Sequence, residues 1–292
     1  MGRASEGREG LFEAQRKRLI GLAYRILGSR ADAEDIVQEA YLRWQRVEEP
    51  VRSAEAWLTT VVTRLAVDRL RSAQVQREVY TGTWLPEPIV ERRWWSPLDR
   101  LETEADLSIA FLFLMERLTP EERAAFVLRE GFDYSHGEVA EFLDRSEAAC
   151  RQLVHRAKER LRLDYPRTSG RRAKAGLVQR YVEAVLTHDE GGLKELLSAD
   201  AREFSDGGGK VRAALQPIEG VDRIARFVFG LARKYEERFS VEPALVNSEP
   251  GAIVWIDGSP VVAAFETDGE RITRIFHILN PDKLGGVQTA TG

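Results

Sequence analysis

Residues 206–210 read Asp-Gly-Gly-Gly-Lys, a carboxylate and an ammonium separated by three glycines. A glycine-rich turn ending in lysine can cradle phosphate, but a phosphate loop spaces its residues as GxxxxGK[ST]. Here Val211 follows the lysine and that spacing is missing, so no nucleotide site is expected. The glycines rather permit a backbone path closed to other residues, leaving amides and Lys210 to hold a carboxylate. Asn280-Pro281-Asp282-Lys283 closes the last predicted strand and offers Asp282 and Lys283 as partners. For acid–base chemistry the candidates are Asp206, His188 and His277. No spacing pairs an acid with a base among them, and loop or satisfied structural roles account for all three. Cys150 and His155 form a lone thiol–imidazole pair, with the cysteine on an apolar stripe, which does not make a metal site. The sequence therefore predicts no catalytic residue, no metal and no cofactor.

A different chemistry is written into "YSHGEVAEFLDRSEAACRQLVHRAKERLRL". A short helix from Ser135 to Leu143, a turn at Asp144 and Arg145, and a second helix capped by Ser146 make a helix-turn-helix. Cys150, Val154, Ala157 and Leu161 recur at helical spacing and must face the core. The opposite face carries Arg151, Gln152, His155 and Arg156. Arginine and glutamine present the forked donors and acceptors that read guanine and adenine edges in the major groove. A solvated face on an ordinary helical hairpin is the competing reading. Further upstream, "RADAEDIVQEAYLRWQR" turns Asp35, Gln38, Glu39 and Leu42 outward, an acidic surface with an exposed leucine that suits a basic protein partner better than DNA. The helix that follows shows Thr59, Thr60, Thr63, Arg64 and Arg71 outside its apolar stripe, a weak signal for phosphate and single-strand contacts.

These side chains need elements to position them, and the chain supplies three blocks. Residues 10–73 carry helical periodicity, with Leu11, Leu19, Leu22, Ala23 and Ile26 on one face of a helix that stops at Gly28. The third helix, from Ala54 to about Ala73, repeats apolar residues at 58, 61, 62 and 65. Residues 74–100 show no period, yet Trp84, Trp94 and Trp95 fall among them and two prolines interrupt "WLPEP". Helical pattern resumes over 101–165. A last block, 173–285, opens with "AGLVQRYVEAVLTHD" and "GGLKELLS" as helices. It continues as strands "FSVEPALVNSE", "GAIVWID", "PVVAAFETD" and "RITRIFHILN", divided by "EPG", "GSP" and "DGE" turns. Helices first and an antiparallel meander afterwards indicate α+β.

Composition agrees with a multidomain chain. It has 292 residues, 43% hydrophobic and 31% charged, with a net charge of −4. Between Arg151 and Arg180 ten Lys/Arg face only Glu159 and Asp164, so one basic patch sits in an acidic remainder. Such a distribution allows DNA binding at a chosen place. The N-terminus has no signal-peptide core, position 6 is Glu and so breaks a myristoylation signal, and no apolar run spans a bilayer. One cysteine excludes an internal disulfide. A cytoplasmic protein without membrane partners is expected.

On these residues a family likeness rests. "DAEDIVQEAYLRW" followed by "WLTTVVTRLAVDRLRS" resembles region 2 of bacterial RNA polymerase sigma factors, and "LTPEERAAFVLREGFDYSHGEVAEFLDRSEAACRQLVHRAKERLR" resembles their region 4. Only these two regions are present, as in the small extracytoplasmic-function type. "TGTWLPEP", "DGGGK" and "NPDKL" are similar to motifs of the SigJ-like subgroup, which carries a C-terminal SnoaL-like domain of NTF2-like cone fold. The resemblance implies two all-α domains, a region 2 bundle and a region 4 helix-turn-helix, followed by an α+β domain. It implies that Asp35, Gln38, Glu39 and Leu42 contact the clamp helices of core RNA polymerase, whose flap region is a further partner. It also implies that Thr60, Arg64, Asp68 and Arg71 capture the promoter −10 element, and that Ser146, Arg151, Gln152, His155 and Arg156 serve at the −35 element. Cys150 stands where relatives often have a branched aliphatic residue.

From the same motifs we expect Trp84, Leu85, Pro86, Glu87 and Pro88 to pack against the third block near Asp206, Gly207, Gly208, Gly209, Lys210 and Asn280, Pro281, Asp282, Lys283, forming a regulatory contact. An exposed linker that orders only on polymerase is the alternative. Two other functions stay open: a ligand-responsive helix-turn-helix regulator, which leaves residues 10–73 without a role, and a C-terminal domain with its own small-molecule activity or a small-molecule ligand.

Overall fold

The structure is a computed structural model that describes residues 2–48, 51–92, 108–164 and 175–287. They fall into two compact units, one within Met1–Glu78 and Met115–Asp164, the other within Val79–Leu114 and Tyr165–Gly292.

The first unit is helical. Helix α1 (Gly2–Leu27) ends where Gly28 turns to φ 70°, and Ser29 caps α2 (Arg30–Gln45) by accepting from the Asp32 amide. Helix α3 (Ala54–Glu78) completes a three-helix core. Leu19, Leu22, Ile26, Ile36, Val37, Leu58, Val62 and Leu70 are buried there, and Trp44 lies 5.3 Å from Trp57. Each such aliphatic contributes about 1.5–3 kcal/mol by leaving water. Leu11 departs from the expected stripe. It is 53% exposed, while its neighbour Phe12 is buried 4.6 Å from Tyr41. Helix α4 (Ile109–Met115) follows the linker and lies mostly in the second unit. Helices α5 (Pro120–Phe126), α6 (His136–Leu143) and α7 (Glu147–Asp164) return to the first. Capping boxes at Thr119–Glu122 and Ser135–Glu138 start α5 and α6. Between them Val127–Gly131 widens to a π turn.

The boundary expected at residue 73 moves to 78. Gln74 donates to the Leu118 carbonyl at 3.1 Å, and Arg77 donates to the Leu27 carbonyl at 3.1 Å and pairs with Glu116, so α3 runs one turn further. Glu116 also holds Arg123, which is fully buried and donates to the Arg25 carbonyl at 3.1 Å. Ile109, Ala110 and Phe113, inside the expected 101–165 block, pack with the apolar cluster of the C-terminal sheet.

The second unit is α+β. After β1 (Val90–Glu91) come α8 (Ala175–Leu186), α9 (Glu190–Leu196), β2 (Leu197–Asp206), β3 (Ile218–Glu219) and α10 (Val221–Lys234). Strands β4 (Phe239–Val246), β5 (Glu249–Ile256), β6 (Ser259–Thr267) and β7 (Ile272–Ile278) complete a sheet of order β1-β4-β5-β6-β7-β2-β3. The four C-terminal strands match the expected ones; β2, its parallel pairing with β7 and α10 are additions to the expected elements. Two turns differ from expectation. Asn247-Ser248 and Asp257-Gly258, all at positive φ, join the hairpins, as paired left-handed residues do in tight connections. Glu249-Pro250-Gly251 and Ser259-Pro260 are therefore strand residues. One sheet face packs α8, α9 and α10 through Leu177, Tyr181, Leu193, Ile224 and Phe229. The other packs Leu85, Ile109 and Phe113 with Phe204, Trp255 and Phe276. Among the described residues no helix is long and apolar enough to cross a membrane, and no His/Cys/Asp/Glu group could hold a metal.

Candidate nucleic-acid interface

The helix-turn-helix forms over the expected residues. Ser135 caps α6, Asp144 turns left-handed at φ 54°, and the Ser146 hydroxyl accepts from the Ala149 amide at 3.2 Å to start α7. Cys150, Val154 and Ala157 are buried on one side, and burial pushes the Cys150 thiol up. Arg151, Gln152, His155 and Arg156 are all exposed on the other. Arg151 pairs with Glu147, one turn back, and Arg156 lies 3.4 Å from Glu122. The buried Glu122 also takes Arg160 at 2.7 Å, and Lys158 lies 2.8 Å from Glu130. This helix thus offers forked donors to solvent while acids of α5 and the π turn hold its flank.

On α2, Asp35, Gln38, Glu39 and Leu42 are all exposed over the buried stripe of Ile36, Val37, Ala40 and Trp44. Glu39 pairs with Arg43 at 2.5 Å and Leu42 is 45% exposed.

On α3 the expected surface splits. Thr59 and Thr63 are fully buried, correcting their assignment outside the apolar stripe, because α3 packs against α1 and α2 and also against α5 and α6. The Thr59 hydroxyl lies 3.3 Å from Arg18 and 3.4 Å from the Tyr134 hydroxyl. Thr60 donates back to the Ala56 carbonyl at 2.8 Å. Arg64 donates to the carbonyls of Phe142 at 3.1 Å and Glu141 at 3.2 Å, the last turn of α6. Arg71 bridges Asp68 at 2.8 Å and Glu121 at 2.5 Å, and the Glu121 hydrogen bond holds its guanidinium above the usual range. Arg64 therefore engages the first helix of the helix-turn-helix, and Arg71 the helix α5 that precedes it.

In the second unit three separated motifs meet. Asp206 is fully buried at the end of β2. Its carboxylate accepts from the Tyr80 hydroxyl at 2.5 Å, the Leu85 amide at 2.8 Å, the Gly208 amide at 3.0 Å and the Lys283 ammonium at 2.6 Å. Lys283 also donates to the Leu85 carbonyl at 2.5 Å and stands 4.2 Å from the Trp84 ring centroid. Lys210 takes both oxygens of Asp282, at 2.7 and 2.6 Å. Asn280 caps Pro281–Lys283 and donates to the Tyr80 hydroxyl at 2.9 Å. Gly208 adopts φ 61° with Asn280 Nδ2 only 2.4 Å from where a Cβ would stand, so no other residue fits. Gly207 is buried and Gly209 exposed. Pro86 and Pro88 are buried and Glu87 half-buried.

The linker continues onto the sheet edge. Ile89 and Asn247 exchange hydrogen bonds at 2.9 and 2.8 Å, β1 pairs with β4, and Arg92 reaches Glu242 at 2.7 Å. Tyr80 and β1 carry no mark in the sequence, since Val90-Glu91 is too short a strand to show a period. Trp94 and Trp95 lie outside the described residues. Of the acid–base candidates, Asp206 is saturated by Tyr80, Leu85, Gly208 and Lys283, a set of contacts that clasps the linker; His188 is exposed at φ 56°, and His277 meets Glu203 on the helix-covered sheet face.

Comparison with known proteins gives a consistent answer. The model of Sigma-70 region 2 matches residues 11–75, and that of Sigma-70, region 4 matches residues 108–161. The ECF RNA polymerase sigma factor SigJ of Mycobacterium tuberculosis is 40% identical over 94% of this chain and 92% of its own. The probable ECF RNA polymerase sigma factor SigI of the same species is 29% identical over 96% of each chain. The crystal structure of Mycobacterium tuberculosis SigJ superposes with a TM-score of 0.76 at 38% identity, covering 94% of this chain and 97% of that one.

Proposed function

The chain belongs to the extracytoplasmic-function RNA polymerase sigma factors, and from that premise we propose that it joins core polymerase and directs it to a set of promoters. The polymerase supplies the catalysis; this protein supplies promoter choice. The observation that carries the reading is the α7 surface, where Arg151, Gln152, His155 and Arg156 stand exposed over a buried Cys150, Val154, Ala157 stripe. This presentation suits −35 recognition from the major groove, with Ser146 fixing the helix start. The exposed Asp35, Gln38, Glu39 and Leu42 suit a basic polymerase surface, such as its clamp helices.

Thr60, Arg64, Asp68 and Arg71 are assigned to the −10 element. In the free protein Arg64 and Arg71 are held by α5 and α6, so −10 reading requires those contacts to give way. Unstacking bases costs a few kcal/mol, which stacking and phosphate contacts can offset once polymerase has spaced the two regions.

The C-terminal unit is the regulatory part. It binds the chain that joins α3 to α5, through Tyr80, Trp84 and Leu85 on Asp206 and Lys283. Release of that clasp lengthens the free connection between the two DNA-reading regions. The protein works in the cytoplasm, and a small molecule bound to the C-terminal unit is one way to set the clasp. Gel filtration of full-length protein with core polymerase, followed by promoter-fragment binding, tests the reading. A stoichiometric complex that selects promoter over random DNA is expected; a protein that binds promoter DNA alone and ignores polymerase is a conventional regulator.

A further inference from the structure

The helix-covered face of the sheet encloses a cavity of about 660 Å³, within the size range of pockets that hold drug-sized ligands. Val182 and Val185 of α8, Phe227 and Leu231 of α10, and Val254 and Phe265 of the sheet give it apolar walls. Arg212, Lys234 and Asp257 also line it but are exposed, and so stand toward solvent. Inside, Ser205 and His277 face each other in the register of β2 and β7.

His277 is not a bare imidazole. Its Nδ1 lies 2.9 Å from Oε1 of Glu203, a fully buried carboxylate that also accepts the Ser205 hydroxyl. The second oxygen of Glu203 is buried with no hydrogen-bond partner among the described residues. An ionised carboxylate only accepts, so it places the ring hydrogen on Nδ1 and leaves Nε2 as an acceptor. A largely apolar cavity with an imidazole acceptor backed by Glu203 favours a ligand that brings a proton, either its own or one taken up together with its oxyanion. When such a ligand leaves its proton on Nε2, an imidazolium sits between the ligand oxyanion and Glu203, each charge paired. An ester or ether of the same shape brings no donor and leaves the nitrogen unpaired.

We propose that this cavity binds an apolar small molecule carrying one acidic hydroxyl, a carboxylic acid or a phenol, seated against His277. The proposal rests on the reading of the C-terminal unit as regulatory in one respect. Ser205 in the cavity and Asp206 in the clasp are consecutive on β2, so ligand and linker bind opposite faces of one strand.

The test is calorimetric titration of the full-length protein with decanoic acid and 4-octylphenol, each beside its methylated counterpart, methyl decanoate and 4-octylanisole. At least one acidic probe should bind with a dissociation constant in the micromolar range, and at least tenfold more tightly than its methylated form; which of the two does so separates the acid from the phenol. Val254→Trp, which fills the cavity, should abolish binding of all four, and His277→Phe should erase the preference for the acidic form. Equal affinity of acidic and methylated probes overturns the ligand class, and no binding by the folded native protein overturns the site. Because native protein alone decides both points, a variant that fails to fold leaves the test intact. Binding with unchanged promoter transcription would uphold the site and overturn the regulatory reading alone.

Discussion

Lys283 holds its ammonium 2.6 Å from the buried Asp206 carboxylate while the Trp84 ring covers it at 4.2 Å. One ion pair thus fastens a linker tryptophan to two motifs some 77 residues apart in sequence.

Removing one partner of this pair should be costly. Asp206→Asn removes the carboxylate charge that faces Lys283, whose side chain is 11% exposed, a loss of about 3–5 kcal/mol for a buried pair broken on one side. Limited proteolysis should then cut within residues 79–92 much faster than in the native protein. Unchanged protection would show that the apolar burial of Leu85 holds the linker without the ion pair.

The clasp should also open at high pH. Burial first, then the hydrogen bond from Tyr80 to Asp206, raises the Tyr80 phenol above its ordinary range. A pKa raised on folding gives stability that is whole below the unfolded value, near ~10, and lost as pH rises beyond it. Linker protection should fall in alkaline buffer, and Tyr80→Phe should flatten that particular decline. Tyrosine absorbance followed with proteolysis on both proteins measures the difference.

Arg71 separates structure from function. Its pair with Glu121 is partly exposed, so Glu121→Ala should change thermal stability by less than about 1 kcal/mol. Arg71→Ala should change stability equally little but reduce permanganate reactivity of promoter −10 thymines in the polymerase complex. Arg64→Ala should do both, since it also loses two carbonyl contacts on α6. If neither arginine affects promoter opening, their part is confined to helix packing.

Recognition-helix changes should act on base choice. Arg151→Ala or Gln152→Ala should each cost about 1–3 kcal/mol of discrimination at a −35 base while leaving the helical circular dichroism unchanged. Lys158→Ala should weaken binding evenly across sequences and lower its salt dependence.

Much of this was readable in the residue pattern. Helix α7 and its two faces follow from Cys150, Val154, Ala157 and the cap at Ser146, because 3.6-residue spacing and local capping are properties of neighbouring residues. The acidic α2 face followed for the same reason. What failed depends on distant partners. Thr59 and Thr63 look like surface hydroxyls but are fully buried, on a helix that packs against α1, α2, α5 and α6. Strand β2 reads "LSADAREFSD", poor in branched and aromatic residues, and becomes a strand through parallel pairing with β7 and antiparallel pairing with β3. Helix α10 carries a clear helical period in Val221, Ile224, Ala225, Val228 and Phe229, although the expected elements pass from "GGLKELLS" straight to the strands. The linker's attachment could be guessed from its motifs, but not its edge strand or Tyr80, because each needs the folded sheet.

The most direct test is run-off transcription by core polymerase with the full-length protein on a library of promoter fragments. Initiation from a defined subset, lost on changing Glu39 to Lys or Arg151 to Ala, is the predicted result. Polymerase that initiates no differently with and without the protein, under conditions where the two form a complex, would contradict the account.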